Sequence, residues 1–87
     1  MEKLWHDLAW DQYLEWQGLD RRTLKRINAL ITSIERNGYD CIGKPEPLKG
    51  ELSGWWSRRI DDVNRIVYRI RDNAIELIQC GGHYGDN

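Results

Sequence analysis

The hydrophobic period of this 87-residue chain changes once, near its middle. Between Arg21 and Arg36, the residues Leu24, Ile27, Leu30, Ile31 and Ile34 recur at spacings of three and four. A single stripe of that kind marks an amphipathic helix. Asp20 stands where an N-cap belongs, and Asn37-Gly38 is a C-terminal stop. A shorter helix is expected over about residues 8–17, capped by Asp7 and ended by Gly18, with Trp10, Tyr13, Leu14 and Trp16 as its bulky side chains.

Residues 38–47 read as loop, broken by Gly38, Gly43, Pro45 and Pro47. Beyond them the period is two. Trp55–Ile60, Arg65–Arg71 and Ile75–Cys80 read as strands, Leu48–Leu52 is admissible as another, and Lys3-Leu4-Trp5 is a short first strand. In Arg65–Arg71, Ile66, Tyr68 and Ile70 face one way, and Arg65, Val67, Arg69 and Arg71 the other. The β-α-α-β-β-β order implies an α+β fold, a small and mainly antiparallel sheet with both helices packed on one face. The other face is then expected to be uncovered and to carry arginines. Arg59 and Arg65 flank a short turn, which brings like charges together across a hairpin. Glu46, Asp61, Asp62 or a bound phosphate would relieve them.

Composition narrows this picture. The length fits one domain over residues 1–87, with a thin core. There is no Phe, so five Trp and four Tyr supply the aromatic bulk. Their polar handles place some of them at the core edge. No apolar run approaches the roughly 20 residues of a membrane span, and a cytoplasmic location is expected. Cys41 and Cys80 form no metal-ligand spacing and read as reduced thiols, Cys80 as core.

Net charge is −1, which gives no general pull toward nucleic acid. Its distribution is uneven. Residues 1–20 carry one positive and five negative side chains, residues 21–42 five and two, residues 43–71 seven and four. Basic charge is thus local, in the second helix and the middle strands. An ordinary solvated surface accounts for that distribution taken alone.

The chemistry-bearing residues lie in GKPEPLKGELSGWWSRRIDDVNRIVYRI, residues 43–70, and in His83-Tyr84. A carboxylate, several fixed cations and a histidine are what metal-free RNA cleavage requires: a base, charge stabilisers and an acid. Each has a plainer reading. Glu46 can be a solvated loop carboxylate paired with Lys44 or Lys49. Arg65 can pair with Asp61 or Asp62. His83 can be an exposed tail residue, and Tyr84 an aromatic plug at the sheet edge.

Five segments together resemble the YoeB/Txe toxins of the RelE/ParE superfamily. They are Trp10-Asp11-x-Tyr-Leu-x-Trp16, Gly43-Lys-Pro-Glu-Pro-Leu-Lys49, Leu52-Ser-Gly-x-Trp-Ser-Arg-Arg-Ile60, Arg65-x-Val-Tyr68 and His83-Tyr84. The resemblance implies a compact α+β fold and a ribosome-dependent endoribonuclease that cuts mRNA in the A site. It implies Glu46 as general base, Arg65 as phosphate stabiliser and His83 as general acid. Lys49, Arg59 and Tyr84 become substrate-binding candidates, and Trp10 a lesser one. No metal or cofactor is called for. The implied partners are a cognate antitoxin and the mRNA-loaded ribosome, with a homodimer compatible. Two other classes stay open: a non-nuclease toxin that binds DNA gyrase, and an inactive antitoxin-binding co-repressor.

The sequence departs from the family pattern in three places, of which the first two bear on His83. Gly81-Gly82 precede the His-Tyr pair, where a bulky or charged residue is common. Gly85-Asp86-Asn87 follow it. Asn64 stands where a histidine often precedes the arginine. A more flexible tail is expected from the glycines.

Overall fold

The computed structural model describes residues 1–39 and 45–82. Its elements are β1 (Glu2–Trp5), α1 (Asp7–Leu19), α2 (Arg21–Asn37), β2 (Glu46–Pro47), a 3-10 turn (Gly50–Leu52), β3 (Trp56–Arg59), β4 (Arg65–Arg71) and β5 (Ala74–Cys80). The sheet runs β1-β5-β4-β3-β2, with β1 parallel to β5 and every other pair antiparallel. This is the expected α+β order with one added strand, the two-residue β2.

α2 forms as its stripe predicts. Ile27, Leu30, Ile31 and Ile34 are buried. Asp20 caps it, accepting from Arg22 N at 3.0 Å and from the Thr23 hydroxyl at 2.7 Å. Those bonds hold the Asp20 carboxyl below the usual range, the Thr23 hydroxyl contributing most. Gly38 ends the helix at φ +65°, where glycine is at ease.

α1 departs from expectation at both ends. Asp7 is its first residue rather than its cap; His6 takes the cap position, but its side chain makes no capping hydrogen bond. Gly18 does not end it, because Asp20 closes α1 and opens α2 in one extended residue, with Asp20 N bonded to Trp16 O. α1 buries only Ala9 completely. Tyr13 and Trp16 are partly buried against the core, as their polar handles suggest, while Trp10 is exposed.

The helices cover one face of the sheet. Ile60, Ile66, Tyr68, Ile75, Leu77 and Cys80 meet Ile27, Leu30, Ile31 and Ile34 there, with Trp5, Tyr13, Trp16, Tyr39 and Trp56 at the margins. A bulge makes this packing consistent. Val67 lies opposite Gln79 while Tyr68 lies opposite Leu77, which leaves Ile78 as the extra residue. Leu77 and Cys80 can therefore both face the core although three positions apart. Burial raises the Cys80 thiol to about 12, so it is inert as a nucleophile at neutral pH. Cys41 lies outside the described residues.

Two expectations are corrected. Leu48–Leu52 is not a strand. The pairing with β3 is made by Glu46 and Pro47, after which Leu48 turns inward and Gly50, at φ +67°, starts the 3-10 turn. The face opposite the helices is also less bare than its arginines suggested. Val67, Ser57, Arg65 and Glu76 on it are all buried.

Candidate active site

Register decides which side chains meet on that second face. Glu46 lies opposite Ser57, Ser57 opposite Val67, and Val67 opposite Gln79. Residues paired in register share a face, as do residues two apart on one strand. Arg59 lies opposite Arg65, two positions beyond Ser57 and Val67. Glu46, Arg59 and Arg65 thus occupy the same face at one end of three neighbouring strands. Steps of about 5 Å between strands and about 7 Å along them set the spacing of the three on that face.

Arg65 is held rather than loose. It is 9% exposed, and its Nη1 donates to Asp61 O at 2.7 Å and Asn64 O at 3.1 Å. This answers the alternative of a simple hairpin ion pair: Arg65 grips the carbonyl of Asp61, not its carboxylate. The carboxylate builds the turn instead, accepting from Val63 N at 2.9 Å, Asn64 N at 2.6 Å and the Asn64 side-chain amide at 3.1 and 3.0 Å. Partial burial pushes the Asp61 carboxyl up. The bonds from Asn64 and Val63, with the Arg65 charge, outweigh that and lower it overall. Arg59 is exposed and makes no ion pair among the described residues.

The chain beyond β5 is tied to the same place. Arg65 N donates to Gly82 O at 2.8 Å and Gly81 N to Arg65 O at 2.9 Å, extending the β4–β5 ladder past Cys80. Gly82 N donates to Asn64 Oδ1 at 2.8 Å, and the Gln79 side-chain amide to Gly81 O at 2.7 Å. From α1, Trp16 Nε1 donates to Cys80 O at 2.9 Å, and Gln12 accepts from Cys80 N at 2.7 Å. Gly81 and Gly82 adopt φ of +144° and +67°, and a Cβ on Gly81 would lie 3.2 Å from Trp16 Nε1. The glycines were expected to loosen the tail. Gly81 and Gly82 themselves are pinned on both sides, and glycine is what the conformation and the indole contact require; the tail beyond them lies outside the described residues. His83 and Tyr84 lie outside the described residues; His83 is the next residue after Gly82.

The other named residues divide clearly. Lys49 is exposed beside Glu46 in a shallow cleft that Pro47 and Leu48 complete. Trp10, 43% exposed, packs edge-on to Trp5 and against Tyr13 instead of joining the row with Glu46. Arg58, one of the cations that drew attention to this segment, points into the core. It is 0% exposed and donates to the Tyr68 hydroxyl at 2.9 Å, Ser33 Oγ at 3.0 Å and Gly38 O at 2.6 Å.

Comparison with known proteins bears on what these residues serve. The family described as YoeB-like toxin of bacterial type II toxin-antitoxin system matches residues 5–84. The chain belongs to the YoeB toxin family. It is 53% identical over 78 residues to Toxin YoeB of Synechocystis, covering 90% of this chain and 91% of that one. The YoeB/ParE toxin of Agrobacterium tumefaciens superposes with a TM-score of 0.93 at 44% identity, over 97% of this chain and all of that one. Two Staphylococcus aureus structures, a YoeB–YefM heterotetramer and a YoeB dimer, each give 0.90 at 41% identity, over 97% and 98% of the two chains. As a YoeB-family member the chain is the toxin of a type II toxin–antitoxin system.

Within this YoeB-type frame, sequence reasoning passed over several residues. Asn64 was visible only as a departure, although an Asp three positions before an Asn is a readable turn signal. Gln12 and Trp16 gave no sign that they hold the tail. A further group sits on the second face: Glu76 accepts from Arg69 Nε at 2.8 Å and lies 2.8 Å from His6 Nε2, while Arg69 stacks 4.2 Å over Trp55. Arg69 first, and His6 after it, lower the Glu76 carboxyl against a smaller opposing effect of burial. Among the described residues, no three His, Cys, Asp or Glu side chains converge to hold a metal ion.

Proposed function

We propose that the chain is a ribosome-dependent, metal-independent endoribonuclease that cuts mRNA in the A site. The observation that carries this reading is the shared face of Glu46, Arg59 and Arg65, with the backbone of Arg65 bonded to the two residues before His83.

Glu46 takes the proton from a ribose 2′-hydroxyl, and the freed oxygen attacks the adjacent phosphorus. Extra negative charge builds on the phosphate oxygens. Arg65, with one nitrogen already fixed by two carbonyls, presents a guanidinium that needs little reorganisation to meet them. Arg59 and Lys49 add positive field and help dock the strand. His83 protonates the departing 5′-oxygen as the P–O5′ bond breaks, a role suited to a group that changes charge near neutral pH. Tyr84 stacks on or positions the substrate. The products are a 2′,3′-cyclic phosphate (or the 3′-phosphate) and a 5′-hydroxyl. DNA lacks the nucleophile and is spared.

The ribosome supplies a positioned substrate, which suits a protein of net charge −1 with weak general attraction for RNA. The cognate antitoxin covers the basic face with a partly disordered acidic segment. A homodimer is compatible with this reading, as is a cytoplasmic location. Among the described residues no helix is long and apolar enough to cross a membrane.

The test is primer extension on ribosomes stalled with a defined mRNA. Wild type is expected to cut within the A-site codon, with and without chelator. Glu46→Ala and His83→Ala are each expected to slow the cut by about 10²–10⁴-fold, the usual worth of one acid or base. No cut by wild type, with translation unaffected, would transfer the toxin to the gyrase-binding or inactive class.

A further inference from the structure

We propose that Asn64 is a positioning residue for the acid step, fixing the point from which the chain runs from the sheet into His83. This rests on the nuclease reading above. The Asn64 side chain joins two otherwise separate structures. Its amide nitrogen donates to both carboxylate oxygens of Asp61 at 3.1 and 3.0 Å, and its oxygen accepts from Gly82 N at 2.8 Å. The carboxylate settles which way the amide points: only the nitrogen can donate to it, so the oxygen must face Gly82. The main chain of the same residue gives Arg65 one of its two guanidinium anchors, Asn64 O at 3.1 Å. One residue thereby references both the phosphate-binding cation and the tail to a single turn.

Gly82 is the last described residue before His83, and both peptides that meet at its Cα are held. Arg65 N takes its carbonyl and Asn64 Oδ1 takes its N–H. The N–H belongs to the Gly81–Gly82 peptide and the carbonyl to the next one, so the two bonds together hold both dihedrals of a glycine that has no Cβ to restrict them. Without the Asn64 bond the Gly81–Gly82 peptide keeps only the Gln79 side-chain contact at Gly81 O and can pivot about it. Displacement of an acid by about 1 Å is enough to cost on the order of 10²-fold in rate. A small cleft lies beside this junction, about 180 Å³ and lined by Gln12, Glu15, Trp16, Leu19 and the Asn64–Gly82 contact. The pivot therefore has space to move into. Asn64→Ala leaves the turn's remaining bonds in place, since Asp61 still accepts from the main-chain N–H groups of residues 63 and 64.

The experiment compares two mRNAs on the ribosome, one with the natural A-site linkage and one with sulfur in place of the bridging 5′-oxygen. A thiolate leaves without being protonated, so the second substrate does not need the acid. Wild type is expected to cut both. His83→Ala is expected to be slow on the oxygen linkage and close to wild type on the sulfur linkage. Asn64→Ala is expected to follow it: about tenfold or more slower on oxygen, unchanged on sulfur. Asn64→Asp keeps an acceptor for Gly82 N–H while losing the donor to Asp61, and is expected to recover part of the oxygen rate. Equal slowing on both linkages, no slowing on either, or an Asn64→Asp rate no better than Asn64→Ala overturns the proposal and leaves the nuclease standing. His83→Ala slow on both linkages removes the acid and the proposal with it. No cut of either linkage by wild type defeats the nuclease reading itself.

Discussion

Arg58 and Arg59 are adjacent in sequence and chemically identical, yet they serve opposite faces of one strand. Arg58 turns toward the helices and, among the described residues, donates to fixed acceptors in and beside the core, the Tyr68 hydroxyl, Ser33 Oγ and Gly38 O. Arg59 turns away, lies exposed, and stands directly across from Arg65. A buried cation with its donors satisfied ties helix, loop and strand together. An exposed cation opposite another cation does nothing for the fold and is well placed for an anion. The helix face of this sheet uses arginine as a structural part, and the other face uses it as a charge.

This contrast can be broken at Arg58. Arg58→Ala leaves these acceptors in or near the core without their donor, at about 1–3 kcal/mol for each one left unsatisfied. Total domain stability is only about 5–15 kcal/mol. The variant is expected to lose several kcal/mol in urea unfolding, and antitoxin binding with it. A loss below about 1 kcal/mol would show that the core tolerates the change and that Arg58 belongs with the surface charges.

Arg59→Ala sharpens the contrast, because stability and activity should move in opposite directions. Removing one of two facing cations is expected to stabilise the fold by a few tenths of a kcal/mol. A-site cleavage is expected to slow by roughly 10- to 100-fold, more so at low salt, where unscreened charge counts most. Equal and parallel losses in both would place Arg59 in the structural class.

The smallest expected effect concerns Glu76, the carboxylate at the centre of the second face. Its folded-state pKa is lowered, chiefly by Arg69. The stability it contributes is therefore fully present above the ordinary glutamate range, and is lost as pH falls from that range through the lowered value. Thermal unfolding of wild type against pH should fall along that window, and Glu76→Gln should flatten part of the fall. Asp61 and Asp20 are lowered too and should account for the remainder. An unchanged acid limb in Glu76→Gln would mean that the contacts with Arg69 and His6 contribute nothing to folding.

What could be read from the sequence follows the same division. The α2 stripe and its Asp20 cap were legible because period and capping are local, and four residues of the stripe are buried as expected. The alternation in β4 correctly separated Ile66 and Tyr68 from Arg65. It could not reveal that Arg65 and Val67 would be buried on the far face, since that depends on what folds over the sheet. Pairing was the least legible level. A strand was expected at Leu48–Leu52 because its composition allowed one, whereas the register is set by Glu46 opposite Ser57. For the site, Glu46 and Arg65 drew attention through motif resemblance, and β-sheet register brings them and Arg59 to one face. The tail anchors at Gln12, Trp16 and Asn64 were not legible, because they join residues 18 to 68 positions apart and no local pattern records such a contact.

The parallel pairing of β1 with β5 also sets a timetable for the molecule's own synthesis. Residues 2–5 are made first, but their partner is residues 74–77, in a strand between β1 and β4. At about 5–20 residues per second, β1 waits several seconds for the strand it needs, and α1 waits with it for the surface it packs on. Until β5 is in place, Arg65 has no Gly82 to hold and the face that carries Glu46 has no completed sheet behind it. A nascent chain therefore has the described sheet, and the backbone bonds between Arg65 and Gly82, only once β5 has paired with β1 and β4.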